Sequence, residues 1–194
     1  MLQILFPGGI PRRIGIALSA ALLVSVLANT GFAADKSREP KEAKESKVIR
    51  QVRHELVMLP FYGVFDNLAF KLNGRTVTLL GQVARPALKS SAERVVKDVE
   101  GIESVINQIE VLPNSPNDDS IRIATYRTIY GDNMLYRYGL QAVPPIHIIV
   151  KNGNVTLVGV VANEADKNVA GIRANEVSGV FSVKNELSVE RANN

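Results

Sequence analysis

Few residues in this sequence have the type and spacing to do chemistry. Two histidines, His54 and His147, are the candidates for a metal ligand or a general base. Neither has a carboxylate or a second histidine at ligand spacing, and a metal site generally needs three or four ligands. Each reads as a surface or partly buried residue. Asp98, Glu103 and Glu110 are scattered carboxylates of a solvated face rather than a paired acid and base. There is no nucleophile elbow, phosphate loop or dinucleotide fingerprint. The residue set points to a protein that is not an enzyme and carries no cofactor and no metal.

A binding role has one better candidate. Tyr126, Arg127, Tyr130, Met134, Tyr136, Arg137 and Tyr138 fall close together and hold four of the five tyrosines. Tyr has an apolar body and a wet tip, which suits a membrane interface, and Arg meets phosphate. The same residues also suit a protein contact, the covering of a small core, or packing between two units. Asn107 and Asn185 stand on the inward phase of the strands that contain them. Buried amides must be bonded, so a neighbouring loop or helix end is their expected partner.

Asn107 and Asn185 sit on a stretch the chain contains twice, and the Tyr/Arg cluster lies outside it. Val77-Thr-Leu-Leu-Gly-Gln-Val-Ala84 returns as Val155-Thr-Leu-Val-Gly-Val-Val-Ala162, and a constant shift of 78 carries the likeness on to Val111 and Val189. A repeat fixes architecture before any motif does. Val48, Val52, Leu56 and Leu59 recur at helical spacing, ended by Pro60. Leu68, Phe70 and Leu72 alternate as in a strand, and Asn73-Gly74 begins a hairpin turn. Val77, Leu79, Gly81 and Val83 share one strand face, with Gly81 expected where a helix crosses closely. Leu88, Ala92, Val95, Val96 and Val99 form a helical stripe after Pro86, and Gly101 stops it. Val105, Asn107, Ile109 and Val111 give a third strand. The second unit repeats this order. Its first helix is expected near Ile121, capped from Asp118, Asp119 or Ser120. Met134 to Val143 is an insertion. Asn152-Gly153 is a hairpin expected to be one residue shorter than the first, Gly159 matches Gly81, and Gly179 stops the helix over 164–177. If both helices of a unit cover one sheet face, the other face is open. In the second unit it presents Ile149, Val158 and Val160 beside Thr156 and His147, and in the first Leu80 and Ile106 with Gln82 and Gln108. Such an apolar patch marks a partner contact, or is buried by one unit packing on the other.

The Asn-Gly turn, Val-Thr-Leu-x-Gly-x-Val, and Gly179-Val-Phe-Ser-Val-Lys-Asn-Glu-Leu-Ser-Val189 resemble the BON domain (bacterial OsmY and nodulation). The first copy departs mildly, with Ile102 where Val180 stands. The resemblance implies an α+β chain of two tandem αββαβ units, each a three-stranded mixed sheet with two helices on one face. On this reading Gly81, Gly101, Asn107, Gly159, Gly179 and Asn185 are structural. The resemblance further implies a non-enzymatic envelope protein, associated with phospholipid binding, osmotic stress or attachment of larger envelope assemblies.

Organisation follows. Residues 1–33 read as a secretory signal, with Arg12 and Arg13 before an apolar run and small residues at Gly31 and Ala33. That run is short for a membrane span, so the chain is expected not to be an integral membrane protein after cleavage. Residues 34–47 read as a charged linker, 48–112 as the first unit, 113–118 as a Pro-containing joint and 119–191 as the second unit. There is no Cys, so neither a disulfide nor an acylated cysteine is available in this sequence. The formal charge of +4 falls to +2 without Arg12 and Arg13, and the signs alternate, which argues against nucleic acid. The expected partner is anionic phospholipid or an envelope protein, at the periplasm or the periplasmic face of the outer membrane.

Overall fold

The computed structural model describes residues 41–190, and side chains from residue 43 onward. The expected signal segment therefore lies outside the described residues. The order is α1 (Lys41–Val57), β1 (Asn67–Asn73), β2 (Thr76–Val83), α2 (Pro86–Lys97), β3 (Ser104–Asn107) and β4 (Glu110–Val111). Then come α3 (Pro116–Tyr130), the 3-10 turn η1 (Tyr136–Leu140), β5 (Ile146–Lys151), β6 (Asn154–Val161), α4 (Glu164–Asn175) and β7 (Ser182–Val189). These make two mixed sheets with two helices each, as the repeat implies. β1 pairs antiparallel with β2, and β3 and β4 pair parallel with it as two pieces of one strand position. β5, β6 and β7 repeat the arrangement.

Register is conserved between the units. Leu79 lies opposite Asn107 as Leu157 lies opposite Asn185, the same pairs under the shift of 78. The hairpins obey the shift too, with Asn73 opposite Thr76 and Lys151 opposite Asn154. Both loops therefore have two residues, and the expected difference in length is corrected. The Asn-Gly pair has slid by one position instead. In the second loop Asn152 and Gly153 both have positive φ, whereas in the first only Gly74 does.

Each unit has its own core. In the first, Phe70, Leu79, Val83, Leu88 and Val96 are buried between sheet and helices, and in the second Ile146, Ile148, Leu157, Ala170 and Leu187 are. Gly81 and Gly159 stand at φ +108° and +129°. A Cβ there would lie 2.0 Å from the Asn67 carbonyl oxygen and 1.9 Å from that of Pro145. The neighbouring strand forbids a side chain, so the expected close helix crossing is corrected. Helix contact falls elsewhere, where Gly171 of α4 leaves room for the Asn185 amide.

Two helices start earlier than their apolar periodicity implies. α1 begins at Lys41 rather than Val48, because Lys, Glu and Ala form helix readily even where residues 43–47 are exposed. α3 begins at Pro116, with Ser115 as its cap accepting from the Asp118 N–H at 3.2 Å. Asp118 is thereby free to accept from the Asn152 and Gly153 N–H groups at 2.8 and 2.9 Å, tying α3 to the hairpin.

Candidate functional site

The seven Tyr, Arg and Met residues divide by their partners: three meet the second core or its buried Asp166, although Arg137 itself is exposed. Tyr130 and Tyr138 belong to the second core. The Tyr130 hydroxyl donates to the Ile146 carbonyl at 2.6 Å, and burial pushes its pKa up. The Tyr138 hydroxyl donates to Asp166 at 2.6 Å and accepts from the Ala162 N–H at 2.8 Å. Arg137 binds the same buried carboxylate and stacks 5.1 Å from the Tyr138 ring centroid. Its guanidinium is thus committed to Asp166, since a buried carboxylate needs a partner.

The other four are accessible. Tyr126 is half-buried, tilted against Tyr130 with ring centroids 4.8 Å apart and set edge-on to Phe65 at 6.2 Å. Arg127 is exposed and takes part in no ion pair among the described residues. Met134 and Tyr136 are exposed by 46% and 57%. Ile123, at 46%, and Leu140, at 78%, join them. The sequence reading missed both. Ile123 is out of phase with the core stripe of α3 and is four residues before Arg127, so the two share one helix face.

Arg127 and Ile123 border a groove of about 500 Å³ that reaches across to the other unit, lined by Gly63, Val64, Phe65, Tyr126 and Gln141 among others. A second groove, about 740 Å³, shares Phe65 and Ile123 and continues to Arg85 and Leu112. The two grooves make one surface that crosses from the first unit to the second.

Residues 62–66 form the junction. Val64 and Phe65 pack against the second core, and the Ile148 N–H donates to the Val64 carbonyl at 2.8 Å on the edge of β5. Tyr62 stacks on His147 at 5.6 Å between centroids. Asp66 holds this segment in shape by accepting from the Gly63 and Ala84 N–H groups at 3.1 and 2.8 Å. Burial raises its pKa, and those two bonds oppose the rise. Further along, Leu112 packs on Ile149 and Val158, and Lys151 pairs with Glu110.

The face expected to be open is therefore closed in the second unit. Ile149, Val158 and Val160 are exposed by only 5%, 4% and 8%. The physical reason is that apolar area stabilises by about 25 cal/mol per Å² removed from water, and the first unit is close enough to remove it. On the first unit's outer face Leu80 is half-buried, and Ile106 stays exposed.

Both asparagines bond a carbonyl of the second helix of their unit. Asn107 Nδ2 donates to the Lys89 carbonyl at 2.9 Å, and Asn185 Nδ2 to that of Lys167 at 2.7 Å. Each Oδ1 accepts the backbone N–H two residues on, that of Ile109 between β3 and β4 and that of Leu187 in β7. His54 lies beside Glu55 on an exposed stretch of α1. Burial lowers the pKa of His147, which faces the Gly63 and Asp66 backbone. Among the described residues no group of three or more His, Cys, Asp or Glu could hold a metal ion, and no helix is long and apolar enough to cross a membrane.

Comparison with known proteins adds a family. The BON domain pattern matches residues 72–113 and 133–191. Both segments start after the first helix of their unit, so Ile123, Tyr126, Arg127 and Tyr130 lie outside the matched pattern, and Met134 to Leu140 lie inside it. The chain is 31% identical over 115 residues to the outer membrane lipoprotein DolP of Haemophilus influenzae. That alignment covers 59% of this chain and 58% of the relative, so little more than half of the relative's length is spanned. The C-terminal domain of CdsD, a structural protein of the type III secretion system of Chlamydia trachomatis, aligns over 74% of this chain and 98% of its own. Its identity is 13% and its TM-score 0.26, a likeness too low to carry an inference.

Proposed function

This chain belongs to the BON domain family, and on that premise we propose that it is a non-enzymatic binding module of the cell envelope. Its ligand is the anionic phospholipid headgroup layer, met by the second unit through Arg127, Ile123, Met134, Tyr136 and Leu140. The observation that carries this reading is Arg127, an exposed guanidinium without an ion-pair partner among the described residues, on one helix face with Ile123 and close in sequence to exposed aromatic and aliphatic side chains. A cation near an anionic membrane surface contributes about 1 kcal/mol, and Tyr at the headgroup level buries its ring while keeping its hydroxyl wet. Tyr130 and Tyr138 pack in the second core, and Arg137 is held on Asp166.

The relative's name as an outer membrane lipoprotein supports an envelope location. We place the exported chain in the periplasm or on the periplasmic face of the outer membrane, with residues 1–33 removed and the units bounded near 48–112 and 119–191. A role in osmotic stress fits such a module. Protein assembly through the outer sheet face of the second unit loses its motivating observation, because Ile149, Val158 and Val160 are covered.

The test is flotation of residues 34–194 with vesicles of phosphatidylglycerol in phosphatidylethanolamine, against phosphatidylcholine alone. The wild type binds the anionic vesicles. The variant Arg127→Gln/Tyr136→Ala/Leu140→Ala binds at least tenfold more weakly, by the sum of about 1 kcal/mol for the cation and a similar amount for each apolar group. Equal binding by the two chains rejects the reading.

A further inference from the structure

The first unit breaks two local rules at one place. Leu59-Pro60-Phe61-Tyr62 is a turn closed by the Tyr62 N–H on the Leu59 carbonyl at 3.2 Å. Pro takes the second position, and the third has φ +70° at Phe61. That position belongs to Gly, since a side chain there is strained. Phe61 gains no core contact in return, for it is 75% exposed.

The second break is Arg85. It occupies the cap position of α2 and makes no side-chain cap bond. The equivalent residue under the shift of 78 is Asn163, which caps α4 by accepting the Asp166 N–H at 2.9 Å. Arg85 forgoes that bond and sets a cation at the positive end of a helix dipole. It has no ion pair among the described residues, and its one charge partner there is the longer-range attraction of the Asp66 carboxyl. Its guanidinium lies over the Phe61 ring, 5.1 Å from the centroid.

Two unfavourable choices that meet each other in solvent have a reason outside the fold, because sequences violate local preference chiefly at functional sites. We propose that Phe61 and Arg85 form a second membrane contact, an aromatic–cation wedge in the first unit that enters the anionic headgroup layer together with the second unit. This inference rests on the lipid-facing reading above. An exposed ring with a guanidinium on its face supplies both apolar area and positive charge, the pairing an anionic lipid interface rewards. The surface is continuous with the first contact, since Arg85, Phe65 and Ile123 border one groove and Phe65, Ile123 and Arg127 the next. The same loop whose tip carries Phe61 docks Val64 and Phe65 on the second core, so the wedge is held relative to Arg127.

The experiment uses two variants that relieve the fold. Phe61→Gly supplies the residue the turn favours, and Arg85→Asn copies the cap of the second unit. Residues 34–194 of wild type and each variant are compared by thermal unfolding and by flotation with the phosphatidylglycerol vesicles. Both variants are expected to unfold at a higher Tm and yet bind more weakly, by about tenfold for Phe61→Gly and about fivefold for Arg85→Asn. The second loss shrinks with added salt and the first does not. A variant with Tm raised and binding unchanged overturns the proposal, as does a lowered Tm, which assigns the pair to the fold. Unchanged vesicle binding with an altered oligomeric state assigns it to a protein contact and overturns it as well. If Arg127→Gln/Tyr136→Ala/Leu140→Ala loses binding while Phe61→Gly and Arg85→Asn keep it, the wedge fails alone. If the wild type binds no vesicles, both readings fall.

Discussion

The backbone N–H just beyond the long central strand is satisfied in both units, by different chemistry. In the first unit the Ala84 N–H donates to the Asp66 carboxylate at 2.8 Å. In the second the Ala162 N–H donates to the Tyr138 hydroxyl, also at 2.8 Å. Substitution of one partner leaves a donor without an acceptor, which costs about 1–3 kcal/mol. Tyr138→Phe is therefore expected to lower unfolding stability by about 2 kcal/mol in urea titration, because Asp166 loses a donor as well. The same variant should leave vesicle binding unchanged, since the hydroxyl faces inward. At this scale the sequence was legible where a repeated residue must do the same thing twice, as with Asn107 and Asn185. It was not legible where a residue of interfacial type serves the core. A tyrosine's apolar body suits either environment, and only the position of a hydroxyl partner tells them apart.

Among the elements, the loop over residues 58–66 carries the most. Its inner end docks on the second unit, and its outer end exposes Met58 and Phe61 by 66% and 75%. The Tyr62–His147 stack lies at this junction, which makes docking sensitive to pH. Burial lowers the folded pKa of His147 below 6.5, so the neutral imidazole is favoured in the folded chain. Its contribution is whole above the unfolded value near 6.5 and is lost as pH falls through and below it. Asp66 works in the opposite sense. Its pKa is raised, so its contribution is present below the ordinary carboxylate value and lost as pH rises through the folded value. Thermal unfolding of the wild type is expected to weaken between about pH 7 and 5, and more steeply than that of His147→Gln. Parallel curves would remove His147 from the junction. The strand positions followed from alternation and the repeat, whereas the equal hairpin lengths and the break between β3 and β4 did not. The starts of α1 and α3 did not, because apolar periodicity is silent where a helix is solvated or opens on a proline. The missed residue Leu140 lies on a 3-10 turn inside the insertion, where no periodicity points.

At the scale of the whole molecule, the two units are joined by the 62–66 segment, by Leu112 on Ile149 and Val158, and by the Lys151–Glu110 pair. Each unit is small for a lone core, and mutual burial relieves that. This arrangement turns what would have been a free sheet face into a seam, and it leaves Arg85 of the first unit and Ile123 and Arg127 of the second along one pair of grooves. The sequence reading foresaw both outcomes for that face and had no way to choose, since pairing between units depends on a loop whose path no periodicity encodes. In the proposed function, the side chains of the second unit's insertion enter an anionic lipid surface. Residues 34–194 contain only two methionines, Met58 and Met134, so their labelled methyl groups report one on each unit. The decisive measurement is the broadening of those methyl signals by a spin-labelled lipid in nanodiscs of phosphatidylglycerol, with phosphatidylcholine nanodiscs as control. The account predicts that Met134 broadens only in the anionic discs, with Met58 broadening alongside it if the Phe61–Arg85 wedge also enters. A Met134 signal that stays sharp while the protein is bound to the discs would contradict it.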